Sequence, residues 1–456
     1  MTPPPIPLGQ VITRAGRVIN PPECYGFENQ GPEVTMCDAP PRSPTPENQP
    51  LEILEESHWA NLNVMLIDEP MSYRQAKVSP QWSDWKKAMD NELKSLKEND
   101  VWDVIPKPVG RKIVASQWVF KAKGNAQGEV ECYKAWLVAK GFSQTLGEDY
   151  DEIFAPVVHY NSLKLSLAIL ACKEWRPRQL DVKTAFLYGI LMEEVSMDLP
   201  EGSQLDGMVA KLKRCIYGLK QSPREWYYQL IEYLRPIGFA VTAWDPCVLV
   251  HKSGDLFLAI YVDDITLYGA TGELKEQTIN VLKTEFKVND MGEFDWLLGI
   301  QIIFTEDGIT LSRMTFIDKI VNRFLIQDWK PISPPIDPNH WFKAIEVDEH
   351  STNTTAYQQI IGSLMYLVTG TRPDLAYTIT HLSQFNSSPS ITHRTAAKRL
   401  LRYLQGTTDR HLFYSWKNQL KMTVYTDASY CNCLDTRRSF SGYIFQLGNA
   451  TISWRC

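Results

Sequence analysis

The feature that most narrows the fold is a pair of adjacent aspartates, Asp263 and Asp264, set between two apolar runs. Leu256 to Val262 leads in, and the residues from Ile265 lead out. Apolar run, tight turn, apolar run is the pattern of a β-hairpin. Its tip would hold both carboxylates in one place with little freedom. The leading run is of strand length, far below the ~20 residues of a membrane-spanning helix.

A third carboxylate, Asp181, follows Gln179-Leu180 and opens Asp181-Val182-Lys183-Thr184-Ala185-Phe186-Leu187. At the end of a buried strand it could lie beside the hairpin tip. Carboxylates so placed can hold two Mg²⁺ ions ~3.5–4 Å apart for in-line phosphoryl transfer. Hard oxygen ligands suit Mg²⁺, which keeps positions for water and substrate phosphates. On its own an Asp-Asp pair is far more often a solvated turn. A further element is Tyr217-Gly218-Leu219-Lys220-Gln221-Ser222-Pro223-Arg224. Ser222 can cap a helix and Pro223 suits its first turn. Trp226, Leu230 and Tyr233 then share an apolar face. A glycine ahead of a helix start lets a ligand approach the backbone. Alone, this is a generic loop-to-helix junction.

Around these motifs the pattern is that of segregated helices and strands, an α+β chain. At 456 residues it is too long for one compact core, so two or three modules are expected. Residues 1–75 hold twelve of the 28 prolines by Pro50 and little apolar periodicity. They read as a disordered, Pro-rich linker. Order is expected from about Ser79, with a helix carrying Trp82, Trp85, Met89, Leu93 and Leu96 on one face. Strands are expected over Val101–Ile105, Ile113–Lys123 and Tyr133–Ala139, with a hairpin loop at Gly124–Gly128. Helical spacing recurs at 161–174, 223–236, 273–285, 315–326, 355–368, 374–385 and 392–405. Lys330–Trp341 reads as an extended linker.

The net charge of −6 argues mildly against a nucleic-acid partner, but its distribution does not. Lys107, Arg111, Lys112, Lys121, Lys123, Lys134 and Lys140 fall in one stretch opposed only by Glu129 and Glu131. Arg394, Lys398, Arg399, Arg402 and Arg410, with His393, form a second cluster. Such patches suit a grip on a phosphate backbone; solvated helix faces are the bland alternative. The nine cysteines show no zinc-site spacing and read as reduced thiols. Met1 is followed by prolines rather than an apolar core, so no secretory signal is expected.

Together the motifs resemble the reverse transcriptase of copia-type retrotransposon Gag-Pol polyproteins, over roughly Ser79 to Arg455. The matching landmarks run in order. They include Trp118-Val119-Phe120-Lys121, Leu137 through Gln144, Phe154-Ala155-Pro156-Val157, Leu180 through Leu187, Tyr217 through Arg224 and Tyr261-Val262-Asp263-Asp264. Leu298-Gly299-Ile300, Ile361 through Leu367, Thr371-Arg372-Pro373-Asp374, Leu401 through Leu404 and Ser441-Gly442-Tyr443 follow.

The resemblance implies a right-hand polymerase with fingers, palm and thumb over 76–329 and a connection over 330–420. A truncated ribonuclease H-like α/β segment would occupy 421–456, with Asp427 its first metal ligand. It implies an RNA-directed DNA polymerase in which Asp181 and Asp263 bind two Mg²⁺ ions (Mn²⁺ as a substitute) and Asp264 supports them. A primer 3′-oxygen attacks the α-phosphate of a deoxynucleotide, and pyrophosphate leaves. Phe186 would wall the sugar against a 2′-hydroxyl, with a plain core phenylalanine as the other reading. Tyr217 and Gly218 would approach the nucleotide, and Lys134 and Lys140 its triphosphate. Gly292 to Gln301 would carry the primer grip. The partners implied are an RNA or DNA template with primer, dNTPs and other Gag-Pol products, with no membrane. The setting implied is intracellular, a cytoplasmic virus-like particle or the nucleus.

Four positions depart from the family's pattern. Trp136, Cys132 and His159 stand where arginine is usual, and Phe440 where serine or threonine is usual. Arginine to tryptophan, cysteine or histidine, and serine to phenylalanine, can each arise from one cytosine-to-thymine change on one strand or the other. The chain also stops at Cys456, before the helix expected to bear the ribonuclease H glutamate. An active polymerase, a non-catalytic relic that keeps the fold and binds nucleic acid, and a host protein reusing the fold therefore stay open.

Overall fold

The computed structural model describes residues 69–456 apart from 125–129, 204, 271, 325–327, 338–341, 346–351 and 432, together with the two-residue strands Val11–Ile12 and Val18–Ile19. Nearly all of the expected 1–75 linker, the Gly124–Gly128 loop after its first residue and the end of the 330–341 linker lie outside the described residues. The chain divides into two compact units, Met1–Ala155 with Phe186–Gln229, and Pro156–Ala185 with Leu230–Cys456.

In the first unit, helix starts earlier than the apolar spacing indicated. Tyr73–Val78 is already helical, because Ser72 caps it by accepting from the Gln75 N–H. The helix Trp82–Glu98 buries Trp85, Ala88, Met89 and Leu96. It packs on a two-stranded antiparallel ribbon, Ser116–Gly124 with Val130–Ala139. Trp85 meets Phe120 and Tyr133 edge-on, at 5.4 and 4.5 Å between ring centres. Strand side chains alternate between faces. Trp118, Phe120, Ala122, Ala135 and Leu137 are therefore buried together, while Val119, Lys121, Lys134 and Trp136 take the other face. A separate three-stranded sheet joins Trp102–Pro106, Met208–Leu212 and Ser196–Asp198.

The second unit is built on a six-stranded antiparallel sheet. Its strands lie in the order Val288–Gly292, Arg176–Val182, Asp264–Gly269, Leu256–Tyr261, Val248–His251, Phe239–Val241. The central hairpin is apolar along nearly its whole length and is buried but for its tip. The Tyr160–Lys173 helix buries Leu163, Leu167, Ala168, Leu170 and Ala171. Farther along, helices Met314–Arg323, Thr354–Gly370, Ala376–Ser383 and Ile391–Gln405 share one apolar core. The helix expected over 374–385 is split, with a 3₁₀ turn at Pro373–Leu375 ahead of Ala376–Ser383. Proline at the first position suits such a start. Met422–Ala428, Ser441–Leu447 and Ala450–Arg455 close the chain as a three-stranded antiparallel sheet. Among the described residues, no helix is long and apolar enough to cross a membrane.

A buried lysine sits in this unit. Lys164 is 2% exposed. Its Nζ donates to the Thr369 carbonyl at 3.1 Å and lies 3.6 Å from the centre of the Trp454 ring. Burial first, and then the nearby Arg313 charge, push the amine down from 10.5 to about 7. The unfolded chain keeps its proton to higher pH than the folded one. This group therefore opposes folding fully below pH 7, and its penalty fades as pH rises toward 10.5. Lys164→Met is expected to raise stability at pH 6 by about 1 kcal/mol or more. Thermal melts across pH 6–10 check it: the gain over the parent should shrink as pH rises, and a constant difference would contradict this account.

Candidate functional site

The hairpin tip is a two-residue turn. Tyr261 pairs with Asp264, leaving Val262 and Asp263 at the bend. Val262 has φ +54°. A β-branched residue in the left-handed region is strained, by ~1–3 kcal/mol, and hairpin turns ordinarily place glycine or asparagine there. The carbonyl of Asp263 accepts from the Val182 N–H at 2.9 Å, which ties the tip to the neighbouring strand.

Sheet register then assembles the polar face. Asp264 lies opposite Asp181, and Asp181 opposite Asn289. Directly opposed residues of antiparallel strands project to the same face. Gln179, two residues before Asp181, joins them. Its Nε2 donates to Asp264 Oδ1 at 3.0 Å, and Asn289 Nδ2 donates to Asp181 Oδ2 at 3.3 Å. The flanking Leu180, Val182 and Ile265 point the other way and are buried. Burial raises the pKa of Asp264; the Gln179 hydrogen bond opposes the rise and the Asp181 charge adds to it. The nearby Arg178 is engaged by Asp290, Nε to Oδ1 at 2.6 Å. Among the described residues no lysine or arginine forms an ion pair with Asp181 or Asp264.

Two carboxylates side by side, held by neutral amides and lacking a basic partner, fit a divalent cation of the hard, oxygen-seeking kind. Among the described residues no three His, Cys, Asp or Glu side chains are arranged to cage an ion on their own. A cation at Asp181 and Asp264 would therefore draw the rest of its shell from water or substrate oxygens, as Mg²⁺ does.

Residues expected on the nucleotide side lie in the first unit. Phe186 is 9% exposed and meets Tyr217 edge-on at 4.7 Å between ring centres. Gly218 is exposed at φ +92°. A Cβ there would overlap the Ala139 carbonyl, so only glycine fits. Lys134 is exposed on the outer face of the ribbon, beside Trp136 in the alternation, and Lys140 is half-buried just past the strand end. Ser222 does not cap as expected. Its hydroxyl donates to the Ile216 carbonyl at 2.6 Å, and the helix Ser222–Leu234 already includes it. Asp427 lies exposed on the terminal sheet, opposite Gly442.

The basic clusters are only partly available. Arg111 pairs with Glu194 and Lys121 with Glu69. Arg399 and Arg402 donate through Nε to the carbonyls of Pro334 and Lys330. His393 is turned inward, where it closes a capping box with Ser390. Arg394 donates to the Thr352 hydroxyl and Arg410 to the Tyr403 hydroxyl beside Asp374, while Lys398 is exposed.

Two residues of the polar face were not singled out by sequence. Gln179 could have been, since two-residue spacing puts it on the face of Asp181. Asn289 carries no local signal; only the pairing order of the sheet brings it there.

The family model described as reverse transcriptase (RNA-dependent DNA polymerase) matches residues 99–338. The retrovirus-related Pol polyprotein from transposon RE1 of Arabidopsis thaliana is 37% identical over 376 residues, covering 81% of this chain and 26% of its own length. That from transposon TNT 1-94 of Nicotiana tabacum is 34% identical over 423 residues, covering 88% of this chain and 31% of its own. A putative transposon Ty5-1 protein of Saccharomyces cerevisiae is 30% identical over 282 residues, which is 91% of its length. The chain thus spans less than a third of the two long polyproteins it matches.

Proposed function

Because the chain belongs to the reverse transcriptase family of copia-type retrotransposon Pol polyproteins, we propose that it is an RNA-directed DNA polymerase whose catalytic face is the row Asp264, Asp181, Asn289. One observation carries this reading: two adjacent carboxylates without a basic partner, one of them following directly on a strained turn that hairpin folding alone does not require. In this reading the six-stranded sheet is the palm and the Ser116–Ala139 ribbon belongs to the fingers. The segment Gly292 to Gln301, whose Trp296–Gln301 hairpin turns through Leu298 and Gly299 at φ +47° and +72°, carries the primer grip.

Asp181, Asp263 and Asp264 would hold two Mg²⁺ ions, which when bound would neutralise developing charge and favour attack by a primer 3′-oxygen. The chain's own part is placement. Gln179 and Asn289 each donate to one carboxylate and so fix the oxygens that remain for a cation. Template, primer and dNTP would complete the site, and Lys398 with the neighbouring arginines offers charge for a phosphate backbone.

Extension of a labelled DNA primer on an RNA template, with Mg²⁺ and then Mn²⁺, tests the reading. Template-dependent extension is expected; none with either ion would reject it. The relic reading draws on Trp136, which occupies the outer ribbon face beside Lys134, and the same assay separates the two.

Phe186 supplies a narrower test. Phe186→Val should raise ribonucleotide incorporation relative to deoxynucleotide by about tenfold, since an aromatic wall would exclude the 2′-hydroxyl. Competition of rNTP against dNTP measures it. Equal discrimination in both proteins would leave Phe186 as a core partner of Tyr217.

A further inference from the structure

Two stretches marked out in the sequence, Leu137 to Gln144 and Tyr217 to Arg224, interlock in the first unit. The Ala139 N–H donates to the Tyr217 carbonyl at 2.8 Å. The Lys220 N–H donates to Gln144 Oε1, also at 2.8 Å. Between these two ties lies the bend that contains Gly218. A Cβ on Gly141 would overlap the Gly218 carbonyl, so the segments pass backbone against backbone.

Gln144 is itself fixed at both ends. Its Nε2 donates to Gln221 Oε1 at 3.0 Å, and Gln221 Nε2 donates to the Asp149 carbonyl at 3.0 Å. Gln144 is 5% exposed and Gln221 fully buried. Lys220 Nζ reaches the Gln144 carbonyl at 3.2 Å and the Tyr150 hydroxyl at 3.3 Å. Buried amides with both ends satisfied have one conformation to adopt. Among the described residues, nothing accepts from the Gly218 amide, while the Leu219 amide turns back across the Tyr217–Gly218 turn toward the Ile216 carbonyl. A backbone N–H left open at an exposed glycine bend can donate to an anionic oxygen.

We propose that Gln144 is a positioning residue for nucleotide binding. Through the Lys220 amide it holds the Tyr217–Lys220 bend, so that the exposed Gly218 amide is left for the triphosphate of an incoming deoxynucleotide. The inference rests on the polymerase reading for the identity of that ligand. Gln144 touches the loop and not the nucleotide, so its removal weakens nucleotide capture rather than the chemical step.

The test uses the full chain, Gln144→Met and Gln144→Glu. Methionine keeps the volume but cannot accept from Lys220; glutamate keeps the acceptor. Amide hydrogen exchange is followed over residues 216–221 with and without a dNTP and Mg²⁺. The parent and Gln144→Glu should gain protection on adding dNTP, and Gln144→Met should not. In primer extension, Gln144→Met should raise the dNTP KM about tenfold, the loss of one hydrogen bond. Its kcat should stay within about twofold of the parent, and Gln144→Glu should restore KM. No dNTP-induced protection in the parent overturns the proposal, as does equal protection in all three proteins. Should the methionine variant not fold, a raised KM in Gln144→Glu overturns it and a parental KM supports it. A parent that extends no primer rejects the polymerase reading, and the exchange result still decides the role of Gln144.

Discussion

Asp181→Asn is expected to reduce primer extension by at least about 10³-fold while leaving the melting temperature within a degree or so of the parent. The size follows from removing a charge at the point where two negative groups face each other across the sheet, since a cation bound there is worth several kcal/mol of transition-state stabilisation. The fold should be indifferent. Asparagine keeps the shape of aspartate, its register partners Asp264 and Asn289 are unchanged, and Asn289 Nδ2 can donate to the new amide oxygen as it does to the carboxylate. Relieving the like charge on Asp264 works, if anything, toward stability. Single-turnover extension and a thermal melt on the same preparation provide the check. Activity near that of the parent would remove Asp181 from the catalytic row, and a collapse in melting temperature would show that it serves the sheet instead.

The second large effect is a gain. Trp136→Arg is expected to raise nucleotide incorporation by roughly one to two orders of magnitude with little change in stability, the energy of one charge-assisted hydrogen bond made in the transition state. The ribbon register supports the premise. Trp136 lies opposite Val119 and shares the outer face with Lys134 and Lys121, whereas the helix Trp82–Glu98 covers the other face. The tryptophan is only half-buried, so an arginine can take its place without opening the core. A guanidinium beside Lys134 can donate a paired set of hydrogen bonds to phosphate oxygens, which an indole cannot. Steady-state incorporation and melting temperature are measured together. Equal activity in both proteins, or a gain that only tracks stability, would contradict this account.

What could be seen from sequence depended on the distance over which each cue acts. Helical spacing and strand alternation are local, so Trp82–Glu98, Glu273–Glu285, Ile391–Gln405 and the central hairpin were legible within a residue or two. The tip carboxylates were legible for the same reason. Where a residue's role depends on what lies opposite, local cues fail. Asn289 becomes part of the row only through the pairing of Val288–Gly292 with Arg176–Val182. Ser222 looked like a cap from its neighbours, but the Ile216 carbonyl is close enough to take its hydroxyl. His393 counted as surface charge in the sequence and is instead enclosed by its own capping box. Nor does composition announce that Gln144, one polar residue among many, is buried against Gln221.

The strand order of the large sheet also sets a schedule for synthesis. Arg176–Val182 lies between Asp264–Gly269 and Val288–Gly292, so Asp181 gains its two neighbours from segments made much later. Asn289 follows Asp181 by 108 residues. At roughly 5–20 residues per second, a ribosome delivers the two roughly 5–20 s apart. Until Asp264–Gly269 emerges the strand bearing Asp181 has both edges open, and its other edge stays open until Val288–Gly292 follows; such distant pairings are the slow kind. A nascent chain therefore carries no assembled row of Asp264, Asp181 and Asn289 until Val288–Gly292 has been translated.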